Sequence, residues 1–254
     1  MKFALLSKVL REIVAILFFA TFLFSCGLDD VVTVESPTIT YHDPLYSNSD
    51  YLTHYFDFLS ADDSGDSFMG TEVYYKIYNN SSTLVTERDS INSVNTATNS
   101  SAAATRMIDT YTYQPLGTSP QNGKSIFVDS KNSVRITLRL KSYKGNENHE
   151  GSDWHNFRAG IDGYTYNYTQ VVPFRSGNQK SFDFFDDDDN DVNGTRDVEP
   201  VESDPDYKHS SSASASDTYY VQLFAVGVAY DQTTLSNAYS LVLDLGSVSI
   251  KKEK

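Results

Sequence analysis

The chain has 254 residues, with 20 basic and 34 acidic side chains and a formal net charge of −14. That charge repels phosphate backbones, and the scattered Lys and Arg form no basic patch, which argues against nucleic acid as a partner. A single cysteine closes no intrachain disulfide and builds no CxxC metal site, while 39% hydrophobic and 13% aromatic content is too apolar for a wholly disordered chain.

Lys2, Lys8 and Arg11 precede an unbroken run of apolar or small residues from Ile13 to Phe24. The run has the length of the hydrophobic stretch of an export signal and falls short of the roughly 20 residues a spanning helix needs. It ends in Leu23-Phe24-Ser25-Cys26. These four residues resemble the lipobox of bacterial lipoproteins, in the looser form of spirochaete and Bacteroides-type members. Phe24 stands where the strict pattern has a small residue. The resemblance implies a signal peptide over 1–25, cleavage before Cys26, and lipidation of Cys26 by acyl chains of the palmitate kind. It also implies attachment to the outer membrane or cell surface. Each buried methylene contributes about 0.8 kcal/mol, so two or three chains anchor a protein stably. Loss of Lys2, Lys8, Arg11 and Glu12 takes the formal charge further negative than −14, so the lipid, not the charge, must do the holding.

Residues 26–36 read as a lipidated tether, polar at its start. Residues 37–250 read as one β-sandwich domain with insertions at about 80–130 and 176–216. Thr38 to Tyr41 is β-branched, and Tyr51 to Leu59 alternates with Leu52, Phe56 and Phe58 on one face. In Thr71 to Tyr78, Val73, Tyr75 and Ile77 point one way and Glu72, Tyr74, Lys76 and Tyr78 the other, the pattern of a half-buried strand ended by Asn79-Asn80. Within 84–110, Ile91 and Val94 with early acids predict one amphipathic helix, whereas the Asn-Ser-Ser-Ala-Ala-Ala stretch reads as low complexity and mobile. Val134 to Leu140 is the clearest strand, and Tyr164 to Phe174 is another candidate. Residues 176–216 read as a large acidic loop. Thr218 to Ala229 and Tyr239 to Ile250 are strong strands joined by a polar turn.

In that final block, Tyr219, Val221, Leu223, Ala225, Ser236, Leu241 and Leu243 fall on a pattern that resembles the end of a fibronectin type III or immunoglobulin-like domain. The tryptophan of that family's second strand is missing, and the middle of this chain is longer than the family allows. The fold expected is therefore all-β, an immunoglobulin/fibronectin III-like β-sandwich with long insertions and room for one short helix. Such a fold carries no function by itself.

The sharpest local motif is Asp189-Asn190-Asp191-Val192-Asn193-Gly194-Thr195-Arg196-Asp197. Oxygen ligands from Asp189, Asp191 and Asn193, the Thr195 carbonyl and Asp197 converge on Ca2+ when glycine permits the sharp turn between them. The alternative is an acidic loop that attracts cations only by charge density. Position 12 of the motif is Pro200, not the usual glutamate. No other cofactor is called for. His149, Glu150, Asp153 and His155 have no zinc-helix spacing. Trp154, and Tyr164, Tyr166 and Tyr168 in alternation, form an aromatic set of the kind that stacks on sugars or contacts proteins, as do Tyr74, Lys76 and Tyr78; the alternative for each stripe is cover by neighbouring strands or insertions. No G-x-S-x-G, P-loop or GxGxxG is present.

These features predict a non-enzymatic, membrane-anchored interaction module that contacts host molecules or neighbouring envelope proteins. The alternatives are a glycan-binding module of a nutrient-capture complex and an exported hydrolase without a recognisable motif.

Overall fold

The computed structural model describes residues 32–39, 56–117, 126–128, 131–138, 140, 157–161, 164–166, 173–175, 180, 182, 184, 199–211 and 217–251. The strands in chain order are β1 (Thr38–Ile39), β2 (Phe56–Leu59), β3 (Phe68–Tyr78), β4 (Gln114–Pro115), β5 (Ile126–Val128), β6 (Arg135–Leu138), β7 (Phe157–Ile161), β8 (Tyr164–Tyr166), β9 (Tyr207–Lys208), β10 (Thr218–Asp231), β11 (Ser236–Tyr239) and β12 (Leu243–Lys251). Among the described residues they form two sheets. One has five strands in the order β1-β2-β6-β7-β8. The other has seven, built on the order β11-β10-β3-β4. There β12 continues beside β10, and β5 and β9 lie beside β3.

The second sheet is organised by its two longest strands. β3 and β10 run antiparallel from Tyr220 opposite Tyr78 to Ala229 opposite Phe68. Their odd-numbered residues Val73, Tyr75, Ile77, Val221, Leu223 and Ala225 join Phe56 and Phe58 of β2 and Ile136 and Leu138 of β6 in one core. Two sheets sharing one apolar interior make a β-sandwich, so the expected all-β sandwich architecture is present. Burying a side chain of this size contributes about 1.5–3 kcal/mol.

The other face of the second sheet is also covered, by helices. α1 (Ser81–Asn92) starts where Asn80 Oδ1 accepts the backbone N–H groups of Ser82 at 2.8 Å and Thr83 at 3.1 Å. Asn80 thus ends β3 and caps a helix, satisfying donors that a helix start leaves free. Leu84, Glu87 and Ile91 form its buried stripe. α2 (Ser101–Thr105) runs into a π-helical turn, Arg106–Thr110. Ala103, Ala104 and Met107 pack with Leu84 and Ile91 against Tyr74, Tyr78, Phe224, Val226 and Val228.

Two expectations are corrected here. The Asn-Ser-Ser-Ala-Ala-Ala stretch, expected to be mobile, is a helix with Ala103 and Ala104 fully buried. Alanine has no side-chain rotamers to order and lets a helix backbone lie close to a sheet. Among the described residues there are accordingly two short helices, α1 and α2. The 71–78 strand, expected to be half-buried, is buried on both faces, Glu72, Tyr74, Lys76 and Tyr78 included.

The free edge of β3 is closed by three short segments. β5 pairs with Thr71 and Glu72, β4 with Tyr74 and Tyr75, and β9 runs parallel to Ile77 and Tyr78. Capping an edge piecemeal removes a template for unwanted strand pairing. β9 comes from the 176–216 region expected to be one acidic loop. Both ends of that region belong to the fold, with Phe182 and Phe184 in the sandwich core and Pro200, Asp204 and Asp206 buried.

The last strand expected as one run over 239–250 is divided. β11 pairs with the end of β10 and β12 with its beginning. Between them the Ser240 hydroxyl accepts the Gly227 N–H at 2.9 Å and donates to the Leu241 carbonyl at 2.7 Å. Along β12 the register shifts opposite Leu223 and Phe224, and Gly246 there has a φ of +89°. A bulge of this kind needs the left-handed backbone that glycine adopts without strain.

Candidate functional site

Most residues singled out from the sequence lie outside the described set: Cys26, Trp154, Tyr168, and Asp189, Asp191, Asn193, Thr195 and Asp197. Tyr164 and Tyr166 are in β8, the last strand of the five-stranded sheet. Register places Tyr166 opposite Ala159, which is opposite Ile136. The second stripe, Tyr74, Lys76 and Tyr78, lies beneath the helical layer, which is the covered alternative. Among the described residues no three His, Cys, Asp or Glu side chains are placed to hold a metal ion.

What the fold does assemble is two buried ionic clusters, one on each face of β3. On the outer face, Lys76 Nζ donates to Glu87 Oε2 at 2.9 Å and to the Tyr111 carbonyl. The Tyr78 hydroxyl donates to the same Glu87 oxygen at 2.8 Å and lies 2.9 Å from the Tyr113 hydroxyl. The rings of Tyr78, Tyr111 and Tyr113 surround the ammonium at 5.6, 6.0 and 5.7 Å from their centroids. A cation so placed gains from ring quadrupoles as well as from its carboxylate. Burial lowers the Lys76 pKa from its ordinary value, and the hydrogen bond and charge of Glu87 oppose that shift. Burial pushes the phenols of Tyr78 and Tyr113 well up, with Glu87 adding to both. The tyrosines are therefore neutral donors, and the cluster is a clamp between β3, α1 and the segment after α2.

On the core side, Arg175 has no exposed side-chain surface. Its Nε and Nη2 donate to the two Asp206 oxygens at 2.8 and 2.7 Å, and Nη2 also donates to Asp204 at 2.7 Å. Lys180 donates to Asp204 at 3.0 Å and the Tyr75 hydroxyl donates to Asp206 at 2.6 Å. The Ile77 N–H donates to the Asp206 carbonyl at 2.9 Å, fixing the carboxylate in place from β3. Burial works against a charged Arg175, and Asp206 and Asp204 outweigh it, so its pKa is raised. Burial likewise opposes ionisation of Asp204, and hydrogen bonds from Lys180, Arg175 and the Val201 N–H hold its pKa below the ordinary value. A bidentate guanidinium–carboxylate pair is the arrangement that tolerates removal from water.

Neither cluster is visible from composition. The signals that do exist are a lone Arg175 after an apolar Val171-Val172-Pro173-Phe174 run, and the close pair Asp204 and Asp206. A charge embedded in apolar sequence marks an internal ion pair, but its partner cannot be read from spacing. In both clusters the ionised groups are engaged with one another inside packed layers. Their chemistry is to hold insertions on the sandwich. Comparisons of this chain with protein-family models, with curated proteins and with solved structures return no match.

Proposed function

We propose that the protein is a non-enzymatic, exported interaction module, anchored by lipid at Cys26 to the outer membrane or cell surface, that contacts host molecules or envelope proteins. The observation that carries the reading is the placement of the one cysteine. It follows an export-type apolar run at once and precedes a strand-built unit that begins at residue 33. The two internal clamps support a scaffold role, because they use the buried ionisable groups to fasten insertions, and surface loops on a rigid sandwich are usual contact sites. Metabolic labelling with a palmitate analogue tests the anchor. Label on the parent and none on Cys26→Ala is expected; equal label on both ends the reading. Protease treatment of intact cells then separates surface exposure from a periplasmic face. A glycan array with the soluble chain separates sugar from protein partners.

Calcium is proposed as a structural ligand of the 189–197 motif. The residues flanking that region both reach Tyr219. The Phe184 ring lies 5.3 Å from the Tyr219 ring, and the Tyr219 hydroxyl donates to Glu199 at 3.2 Å. A loop closed at its base loses less entropy when an ion orders it. Calcium is expected to raise the melting temperature of the parent and not that of the Asp189→Ala, Asp191→Ala double variant. No rise in the parent rejects the site.

A further inference from the structure

Aspartate precedes proline twice in this chain, at Asp43-Pro44 and at Asp204-Pro205. An Asp–Pro bond is the most acid-labile of peptide bonds. The aspartate carboxyl closes a five-membered ring onto its own main-chain carbonyl carbon, and proline, held by a tertiary amide, is a better leaving group than other residues.

The second of these bonds lies in the core-side cluster. Pro205 is exposed, while the Asp204 side chain is only 8% exposed. The Tyr207 N–H donates to the Asp204 carbonyl oxygen at 3.2 Å, which draws electrons from the carbon to be attacked. The nucleophile is occupied. Asp204 Oδ2 accepts Arg175 Nη2 at 2.7 Å and the Val201 N–H at 3.1 Å, and Lys180 Nζ donates to Oδ1 at 3.0 Å and to Oδ2 at 3.2 Å. Asp206 shares Arg175 and also accepts the Tyr75 hydroxyl, which keeps the guanidinium in place from β3.

We propose that Asp204–Pro205 is a self-cleavage site locked by Arg175 and Lys180: the bond is prepared, and cleavage waits on release of the carboxyl. Once released, a carboxyl oxygen attacks the Asp204 carbonyl carbon. An O–C bond forms as the C–N bond to Pro205 breaks. The proline nitrogen leaves with the electron pair and takes a proton from acid, and one water opens the cyclic anhydride to a C-terminal aspartate. The piece from 205 onward carries β9 to β12, and its β10 stays paired with β3. The cut chain therefore keeps its sheet while its covalent link to the N-terminal part is gone.

Acid is the physical trigger. Burial raises the Asp204 pKa, and the bonds from Lys180, Arg175 and the Val201 N–H outweigh it. The carboxylate thus stays paired below the ordinary carboxylate range and is released as pH falls through the folded value. The other ionisable groups around it are Asp206, Tyr75, Tyr207 with Glu202, and Tyr219 with Glu199.

The test uses the full purified chain at about pH 4, near the ordinary carboxylate pKa, at a temperature where circular dichroism shows every variant folded. Mass spectrometry reads the fragments, and the same chain in guanidinium at that pH gives the unlocked rate. The parent is expected to cut between 204 and 205 at least tenfold more slowly than in guanidinium, and Arg175→Met at least tenfold faster than the parent. Arg175→Met combined with Asp204→Glu is expected not to cut there, because glutamate cannot close the five-membered ring. Ile136→Ala opens a cavity in the core and leaves the cluster intact, so it is expected to cut like the parent. A parent rate equal to that in guanidinium, an Arg175→Met rate equal to that of the parent, or an Ile136→Ala rate equal to that of Arg175→Met overturns the lock. Cutting of the double variant between 204 and 205 overturns the attack by aspartate.

Discussion

Replacing Arg175 by methionine removes the centre of the core-side cluster while keeping a side chain of similar reach. Asp206, with no exposed side-chain surface, then keeps the Tyr75 hydroxyl but loses both guanidinium bonds, and Asp204 keeps Lys180. Leaving one carboxylate buried and without its countercharge costs about 3–5 kcal/mol. For a domain of about 150–250 residues, each kcal/mol moves the melting temperature by about 2–4 °C. Arg175→Met is therefore expected to melt about 6–20 °C below the parent. Adding Asp206→Asn neutralises the stranded charge while keeping a polar atom beside Tyr75, and is expected to recover at least a third of the loss. Urea unfolding of the chain from residue 27 onward measures both. A loss below about 1 kcal/mol, or a double variant no better than the single one, refutes the view that the guanidinium holds 173–175 and 204–206 on β3.

Other outcomes follow from particular contacts. Asn80→Ala removes the side-chain acceptor for two N–H groups of α1 and is expected to cost about 1 kcal/mol, read as a urea midpoint shift; an unchanged midpoint means the helical layer does not need its cap. Gly227→Ala puts a methyl 2.3 Å from the Glu35 carbonyl oxygen, where Val34 and Glu35 lie against β10, and is expected to cost about 1–3 kcal/mol and to speed proteolysis within 33–39; a parent-like cleavage pattern means that Val34 and Glu35 do not lie against Gly227. Asp204 has a lowered pKa when folded, so its contribution is complete above the unfolded value of about 3.9 and is lost as pH falls through the folded value. Stability measured from pH 6 down to pH 3 is thus expected to drop less steeply in Asp204→Asn than in the parent. Identical slopes assign the acid lability to other carboxylates.

The alternation in Val73-Tyr75-Ile77, Val134-Ile136-Leu138-Leu140 and Val221-Leu223-Ala225 is enough to place three strands and their core face, because a period of two reports burial directly. All these side chains are buried. β7 was not legible, since Phe157-Arg158-Ala159-Gly160-Ile161 has weak strand formers at its centre. β9 was not legible either, being two residues held by their neighbours and not by their own pattern.

The sequence by itself determined an all-β body and the inward face of its main strands, and it carries an apolar run from Ile13 to Phe24 just ahead of its one cysteine. Those properties are local, written in runs and alternations a few residues long. Only the tertiary structure decided that the second face of β3 is also interior. Glu72, Tyr74, Lys76 and Tyr78 have the look of a solvent face, and their polar tips are indeed satisfied, though not by water. Lys76 and Tyr78 meet Glu87, and Tyr78 meets Tyr113, 35 residues on. Tyr75 meets Asp206 across 131 residues. A polar side chain looks the same in sequence whether water or a distant carboxylate takes its hydrogen bond, and only the folded chain shows which.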